Sequence, residues 1–413
     1  RLVGPFPRFG QRVVDRGAAR GGPAWVDDPE FSLDRHVHGV RLAAPGDMRA
    51  LQRFVGARIG VPLDRSRPLW EAHTVDSYED GGALLMRMHH CIADGVALTQ
   101  VLLSMIDEDV IDEDVDAGWA PAHPPEGGGL TRVVGELLHV GAGLLPTPRR
   151  VLRLPGLTLA GATTAVDVAA ATRRLVLSLP DPGGALRGPL TSGKAVRWVG
   201  GIRLDDLKAA GAAAGCTIND VVTAALAGGL HRYLVAHGGL AHDLRALVPI
   251  NLRPLDRPLP AELGNRFGLV LLDLPVREAH RRRRLATVRR RMSTLKSGAD
   301  GVVAYTLLDL MGRAPLHFER TLVSFFSSKA TLVLTNVPGP RQPVRLAGAT
   351  VRGYTGWPPQ SGGMGLGISV FSYAGEVTVG VMADRDVVAH PDALVTAIRA
   401  ELDDLLAELT AGS

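Results

Sequence analysis

Two cysteines, Cys91 and Cys216, are all that 413 residues contain. So few, without metal-ligand spacing, exclude a disulfide framework and a thiolate metal site. A reducing cytoplasm is the expected compartment. Long apolar runs are also lacking: no unbroken stretch reaches the length of about 18 residues that a membrane-spanning helix needs. Residues 353–375 carry no charge, but repeated glycines and Pro358-Pro359 break them, so they read as loop and strand. Charge of one sign is scarce. Lys and Arg number 46 against 42 Asp and Glu, a net +4. That excess suits an anionic partner but is far too weak for nucleic acid. No phosphate loop of the GxxxxGKS or GxxxxGKT type occurs, and no short repeat.

What is present is apolar material and one dense motif. The hydrophobic fraction of 46% can build the cores of two domains in a chain of this length. The motif is His89-His90-Cys91-Ile92-Ala93-Asp94-Gly95. Ala83 to Met88 before it reads as a buried strand, and Val96 to Ile106 after it as a helix. A strand-to-helix turn can hold a side chain rigidly and still face a cavity. Histidine is the side chain whose neutral form takes a proton near neutral pH. A neutral imidazole can deprotonate an alcohol as it attacks an activated carbonyl. If that carbonyl is a thioester, the leaving thiolate is fairly stable, because a thiol has a pKa of about 8.5. Cys91 is not needed as a nucleophile. The plainer alternative is that Asp94 before Gly95 is simply the N-cap of the following helix.

The rest of the chain alternates strands and helices, which predicts an α/β protein of two similar domains. The expected boundaries are 1–120, a linker with helices over 121–193, and 194–413. Met48 to Val55 has helical spacing, and Glu71 to Val75 reads as a strand. The segment 106–115 is acidic and reads as a solvated loop, and 121–129 is rich in Pro and Gly. Residues 130–145 have helical spacing and end before Arg149-Arg150, as either an inter-domain helix or one that touches lipid. In the second half, Ala195 to Ile202 and Ala246 to Ile250 read as strands. Thr217 with Asp220 makes a capping box. Asn219 then lies in a first helical turn, where free N–H groups can support an oxyanion, although Asn219 and Asp220 can also simply cap the helix. Arg281 to Arg284 and Arg289 to Arg291 give a basic helix. Ala330 to Leu334 reads as a strand ended by a turn at Thr335 to Pro340. Leu366 to Tyr373 and Glu376 to Ala383 form a hairpin, and Asp392 is expected to cap a final amphipathic helix.

The ordered motifs resemble a known family. His89-His90-x-x-x-Asp94-Gly95 is similar to the signature of acyltransferases related to chloramphenicol acetyltransferase and to peptide-synthetase condensation domains. Pro62-Leu63-Asp64-Arg65-Ser66-Arg67-Pro68-Leu69-Trp70-Glu71, Thr217 to Val222, Val248 to Pro254, Gly264-Asn265-Arg266 and Asn336-Val337-Pro338-Gly339-Pro340 resemble the bacterial wax ester synthase/diacylglycerol acyltransferase family. The resemblance implies two chloramphenicol-acetyltransferase-like domains with the active site in a tunnel between them. It implies transfer of a long-chain acyl group from acyl-CoA, as co-substrate, to diacylglycerol or a fatty alcohol. His90 would be the base, with His89 beside it, and no metal or prosthetic group. Asp94 would pair with an arginine, for which Arg253 is the candidate, and Asp220 would be structural. Gly95, Pro68, Leu69, Trp70 and Asn336 would line the substrate site, Trp70 being alternatively a core anchor. A membrane or lipid-droplet surface is the expected location. The family has a strand and helix ahead of Arg1, so the true N-terminus is expected upstream. A carrier-protein-dependent condensation enzyme and a non-catalytic lipid-binding protein of the same fold are the competing readings.

Overall fold

The computed structural model describes residues 2–17, 22–107, 180–181, 183–239, 241–251, 259–297, 324 and 327–411. The expected helix over 130–145, Arg149-Arg150 and Arg253 lie outside these residues.

The first part is built on local signals. Strands β1 (Gln11–Asp15) and β2 (Pro23–Asp27) form an antiparallel ribbon. Strand β3 (Val37–Val40) runs parallel to β4 (Trp70–Tyr78), which pairs antiparallel with β5 (Gly81–Met88). Helix α1 (Met48–Ile59) starts where the Asp47 carboxylate accepts the Ala50 N–H at 2.8 Å. Helix α2 (Gly95–Leu103) follows the histidine motif and is capped by Asp94.

The second part is a six-stranded sheet in the order β6-β13-β12-β9-β7-β8. Its strands are β6 (Lys194–Arg203), β7 (Leu244–Asn251), β8 (Phe267–Leu274), β9 (Leu332–Pro338), β12 (Leu366–Tyr373) and β13 (Glu376–Asp384). The short pair β10 (Arg345–Leu346) and β11 (Ala349–Thr350) lies between β9 and β12 in the chain. Helices α3 (Leu204–Ala214), α4 (Ile218–Ala236), α5 (Arg281–Ser297) and α6 (Pro391–Thr410) share one core with the sheet. Val379, Val381 and Ala383 of β13 point into that core, whereas Met382 joins Val196 in a second core with Leu51 and Val55 of α1. The two-residue alternation of a strand thus puts α1 and the four later helices on opposite faces. Helices α4 and α6 approach closely at Gly229, where a Cβ would fall 2.6 Å from the Ile398 Cα. No single described helix is long and apolar enough to cross a membrane.

Two local readings are corrected. Strand β9 does not stop at Leu334; it continues to Pro338, because β12 offers a parallel partner as far as Ser372 opposite Pro338. Pro338 is the last residue of the strand, where a missing N–H does least harm. Asp392 does not cap α6. His390 holds the N-cap position and Pro391 the first turn, while Asp392 pairs with Arg197 at 2.6 Å.

The sheet also splits. Strands β7 and β9 pair only at Ala246 opposite Leu332 and Leu247 opposite Val333. Beyond that, β7 stays with β8 and β9 stays with β12. Their C-terminal ends therefore part, and the histidine turn docks beside this end.

Candidate active site

The histidine turn is anchored by the chain that leads into β8. Ala93 bridges Gly264, and the Gly264 N–H donates to the Ile92 carbonyl at 3.1 Å. Leu263 and Gly264 both have positive φ, 54° and 90°. Glycine adopts this freely, but a leucine does so only when its surroundings compensate. Here Leu263 is buried in the core cluster of Phe9, Trp70, Ile92 and Ala97. The kink delivers the next two residues to the motif. Asn265 Nδ2 donates to the His90 carbonyl at 3.0 Å, and the Arg266 N–H donates to Asp94 Oδ2 at 2.8 Å.

Asp94 is 3% exposed, and its other oxygen accepts the Ala97 N–H at 2.9 Å. Its carboxylate therefore joins the start of α2 to the lead-in of β8. Both of these contacts are made with backbone amides; the expected partner Arg253 is not among the described residues. Gly95 opens α2, and an added Cβ would meet nothing within 4 Å, so the space over the turn is open.

His90 is partly buried. Its ring lies edge-on to Phe267, with centroids 5.7 Å apart. Burial pushes its pKa below the ordinary histidine value. Hydrogen bonds to its own carbonyl and to Asn265, and the Asp94 charge, oppose that shift without reversing it. His89 is exposed, and its Nδ1 accepts the Cys91 N–H at 3.2 Å. It stabilises the turn from outside, while Phe267 supplies the ring against His90. Burial raises the Cys91 thiol pKa, which opposes a nucleophilic role.

Asn219 and Asn336 meet across the other side of the split. Asn336 Nδ2, on β9 beyond its last pairing with β7, donates to Asn219 Oδ1 in the first turn of α4. With its oxygen engaged, Asn219 Nδ2 remains a donor at a helix N-terminus. The Thr217 and Asp220 capping box forms as expected, Asp220 Oδ2 taking the Thr217 N–H at 2.9 Å.

Pro68, Leu69 and Trp70 are buried. The Leu69 carbonyl accepts the His89 N–H at 2.9 Å, so this segment supports the turn. Trp70 is 2% exposed, stacks on His36 at 4.6 Å and donates to the Phe9 carbonyl at 2.8 Å. Its side chain is a core anchor rather than part of a substrate wall. Asn265 and Arg266 were quoted in the resemblance but not assigned to the site; the signal was the Gly-Asn-Arg triplet itself. Among the described residues no group of three or more His, Cys, Asp or Glu is placed to hold a metal.

The fold is that of chloramphenicol-acetyltransferase-like acyltransferases. The wax ester synthase/diacylglycerol acyltransferase from Marinobacter aquaeolei VT8 superposes with a TM-score of 0.65 at 26% identity, over 98% of this chain and 86% of that one. The first condensation domain of the CDA synthetase superposes with a TM-score of 0.54 at 18% identity, over 98% and 85%. The wax ester synthase/diacylglycerol acyltransferase catalytic-domain model matches residues 3–222, and the C-terminal domain model of that family matches 263–406. The probable diacylglycerol O-acyltransferase tgs1 of Mycobacterium tuberculosis H37Rv is 30% identical over 98% of this chain and 85% of its own length. The tgs2 protein of that strain is 28% identical over 97% and 87%. The chain belongs to the wax ester synthase/diacylglycerol acyltransferase family, and it is an acyltransferase.

Proposed function

We propose that this acyltransferase moves a long-chain acyl group from acyl-CoA to the free hydroxyl of diacylglycerol, with fatty alcohols as a second acceptor class. The observation that carries the reading is His90, partly buried against Phe267 on a turn fixed by Asp94 and Asn265. Its unprotonated ring nitrogen takes the hydroxyl proton as the oxygen attacks the thioester carbon. The tetrahedral oxyanion is met by Asn219 Nδ2. The C–S bond then breaks, and the imidazolium returns the proton to the departing CoA thiolate. The scheme calls on no metal or prosthetic group. The names of the relatives support diacylglycerol as acceptor. Acceptors of this kind reside in lipid, so we place the enzyme in the cytoplasm at a membrane or lipid-droplet surface.

The acceptor assay decides the substrate. Purified protein receives palmitoyl-CoA with diacylglycerol or with hexadecanol, and thiol release is followed. Faster release with diacylglycerol is expected. Faster release with hexadecanol makes the enzyme a wax ester synthase. No release with either, together with turnover of carrier-linked acyl groups, overturns the CoA-dependent reading.

A further inference from the structure

We propose a second site, shaped for a phosphate group, between α1, β6 and the start of α6. A cavity of about 230 Å³ there is lined by Arg49, Gln52, Arg53, Arg197 and Asp392. It is separate from the acyl-transfer site and does not depend on that reading. Arg197 sits on one outer strand of the sheet, whereas His90 packs against the start of the other, β8. Five strand spacings of about 4.8 Å put roughly 24 Å between them.

The residues are arranged as an anion receptor. Arg49 and Arg53 are four apart on α1, so they stand on one helix face. Like charges at that spacing repel, and α1 carries no acidic residue to offset them. Neither arginine makes a hydrogen bond or a close ion pair among the described residues, although Arg49 is near enough to feel the charge of Asp392. Between them lies Gln52, 6% exposed and lining the same cavity. Arg197 is neutralised by Asp392, which it grips at 2.6 and 2.8 Å. That leaves a net +2 from Arg49 and Arg53, against which the carboxylate of Asp392 is already paired. The N-terminus of α6, a helix of 20 residues, adds positive potential; its N-cap His390 supplies no side-chain cap.

A ligand with two negative charges and several acceptor oxygens matches this set, and a phosphate monoester has both. Guanidinium groups bind its oxygens in forked pairs, and Gln52 Nε2 can donate one more bond. The volume holds a phosphate and several waters, each of about 30 Å³. The bound group would join α1 to β6 and α6, across the contact where Leu51 and Val55 meet Val196 and Met382. The phosphate can come from a soluble species or from the headgroup of a phosphatidate-type lipid.

Thermal unfolding and vesicle flotation test the site in the full chain. The wild type is compared with an Arg49→Gln/Arg53→Gln double variant, whose exposed positions keep the fold intact, and with Gln52→Met. Inorganic phosphate is titrated at constant ionic strength against chloride. The wild type should gain in unfolding midpoint, and the double variant should bind phosphate about tenfold or more weakly. Flotation with phosphatidylcholine vesicles, with and without phosphatidate, separates the sources. Phosphatidate-dependent binding lost in the double variant assigns a headgroup; a phosphate response without it assigns a soluble phosphate. Equal phosphate responses in wild type and double variant, or no response in either with vesicle binding indifferent to the substitutions, would overturn the site.

Discussion

Replacing Asp94 by alanine removes the carboxylate that joins α2 to the lead-in of β8. Two backbone donors lose their acceptor, the Ala97 N–H at 2.9 Å and the Arg266 N–H at 2.8 Å. Loss of an N-cap destabilises by about 1 kcal/mol. An unsatisfied buried donor adds about 1–3 kcal/mol. The total is therefore about 2–4 kcal/mol. Unfolding entropy near roughly 2.1 cal/mol/K per residue gives about 0.9 kcal/mol/K for a chain of this size. The unfolding midpoint should fall by about 2–5 °C. Activity should fall as well, because Arg266 adjoins Asn265, which holds the His90 carbonyl. Asp94→Asn keeps one acceptor oxygen and should lose about half as much stability. The assay is calorimetric unfolding beside palmitoyl-CoA turnover. A midpoint unchanged in Asp94→Ala while turnover collapses would refute the structural role and place the carboxylate in the chemistry.

Other outcomes follow from the same geometry. His90 is desolvated, so the acid limb of turnover should lie below the usual histidine pKa of about 6.5, and activity should persist into mildly acidic buffer; a limb above that value contradicts the burial argument. Buried His36 and His73 are likewise held below their ordinary value. Below pH of about 6.5 the unfolded chain therefore binds protons that the folded one refuses, and the unfolding midpoint should drop as pH falls from there toward the lowered pKa values. Asn219→Ala should lower kcat by about 10²-fold if its Nδ2 meets the oxyanion; a loss under about threefold would remove that role. Trp70→Ala should destabilise by about 3–5 kcal/mol, seen as loss of folded protein with no change in acceptor preference in what remains.

What was legible in the sequence was mostly local. The motif turn showed itself because an apolar strand, a polar pair and Asp-Gly follow one another directly. The α4 start was readable because Thr217 and Asp220 satisfy each other within one turn. Contacts made across the chain were not readable this way. Nothing near Asp94 says that the Arg266 amide, 172 residues on, will bind it. Strand β9 seemed to end early because Asn-Val-Pro-Gly-Pro carries turn residues; its extension depends on β12 as partner. Asp392 had the composition of a cap, but Arg197 of β6 claimed it. Trp70 belonged equally to a core or a site until Phe9 and His36 were seen to enclose it. The family resemblance supplied the reaction class, and the structure supplied which atoms hold His90.

The central claim is that the neutral His90 side chain is the base. The most direct test is CoA release from palmitoyl-CoA with diacylglycerol by His90→Ala, beside a wild type of matched unfolding midpoint. The account predicts that release falls by about 10²–10⁴-fold with folding intact. Release within about tenfold of the wild type, from a folded variant, would contradict it.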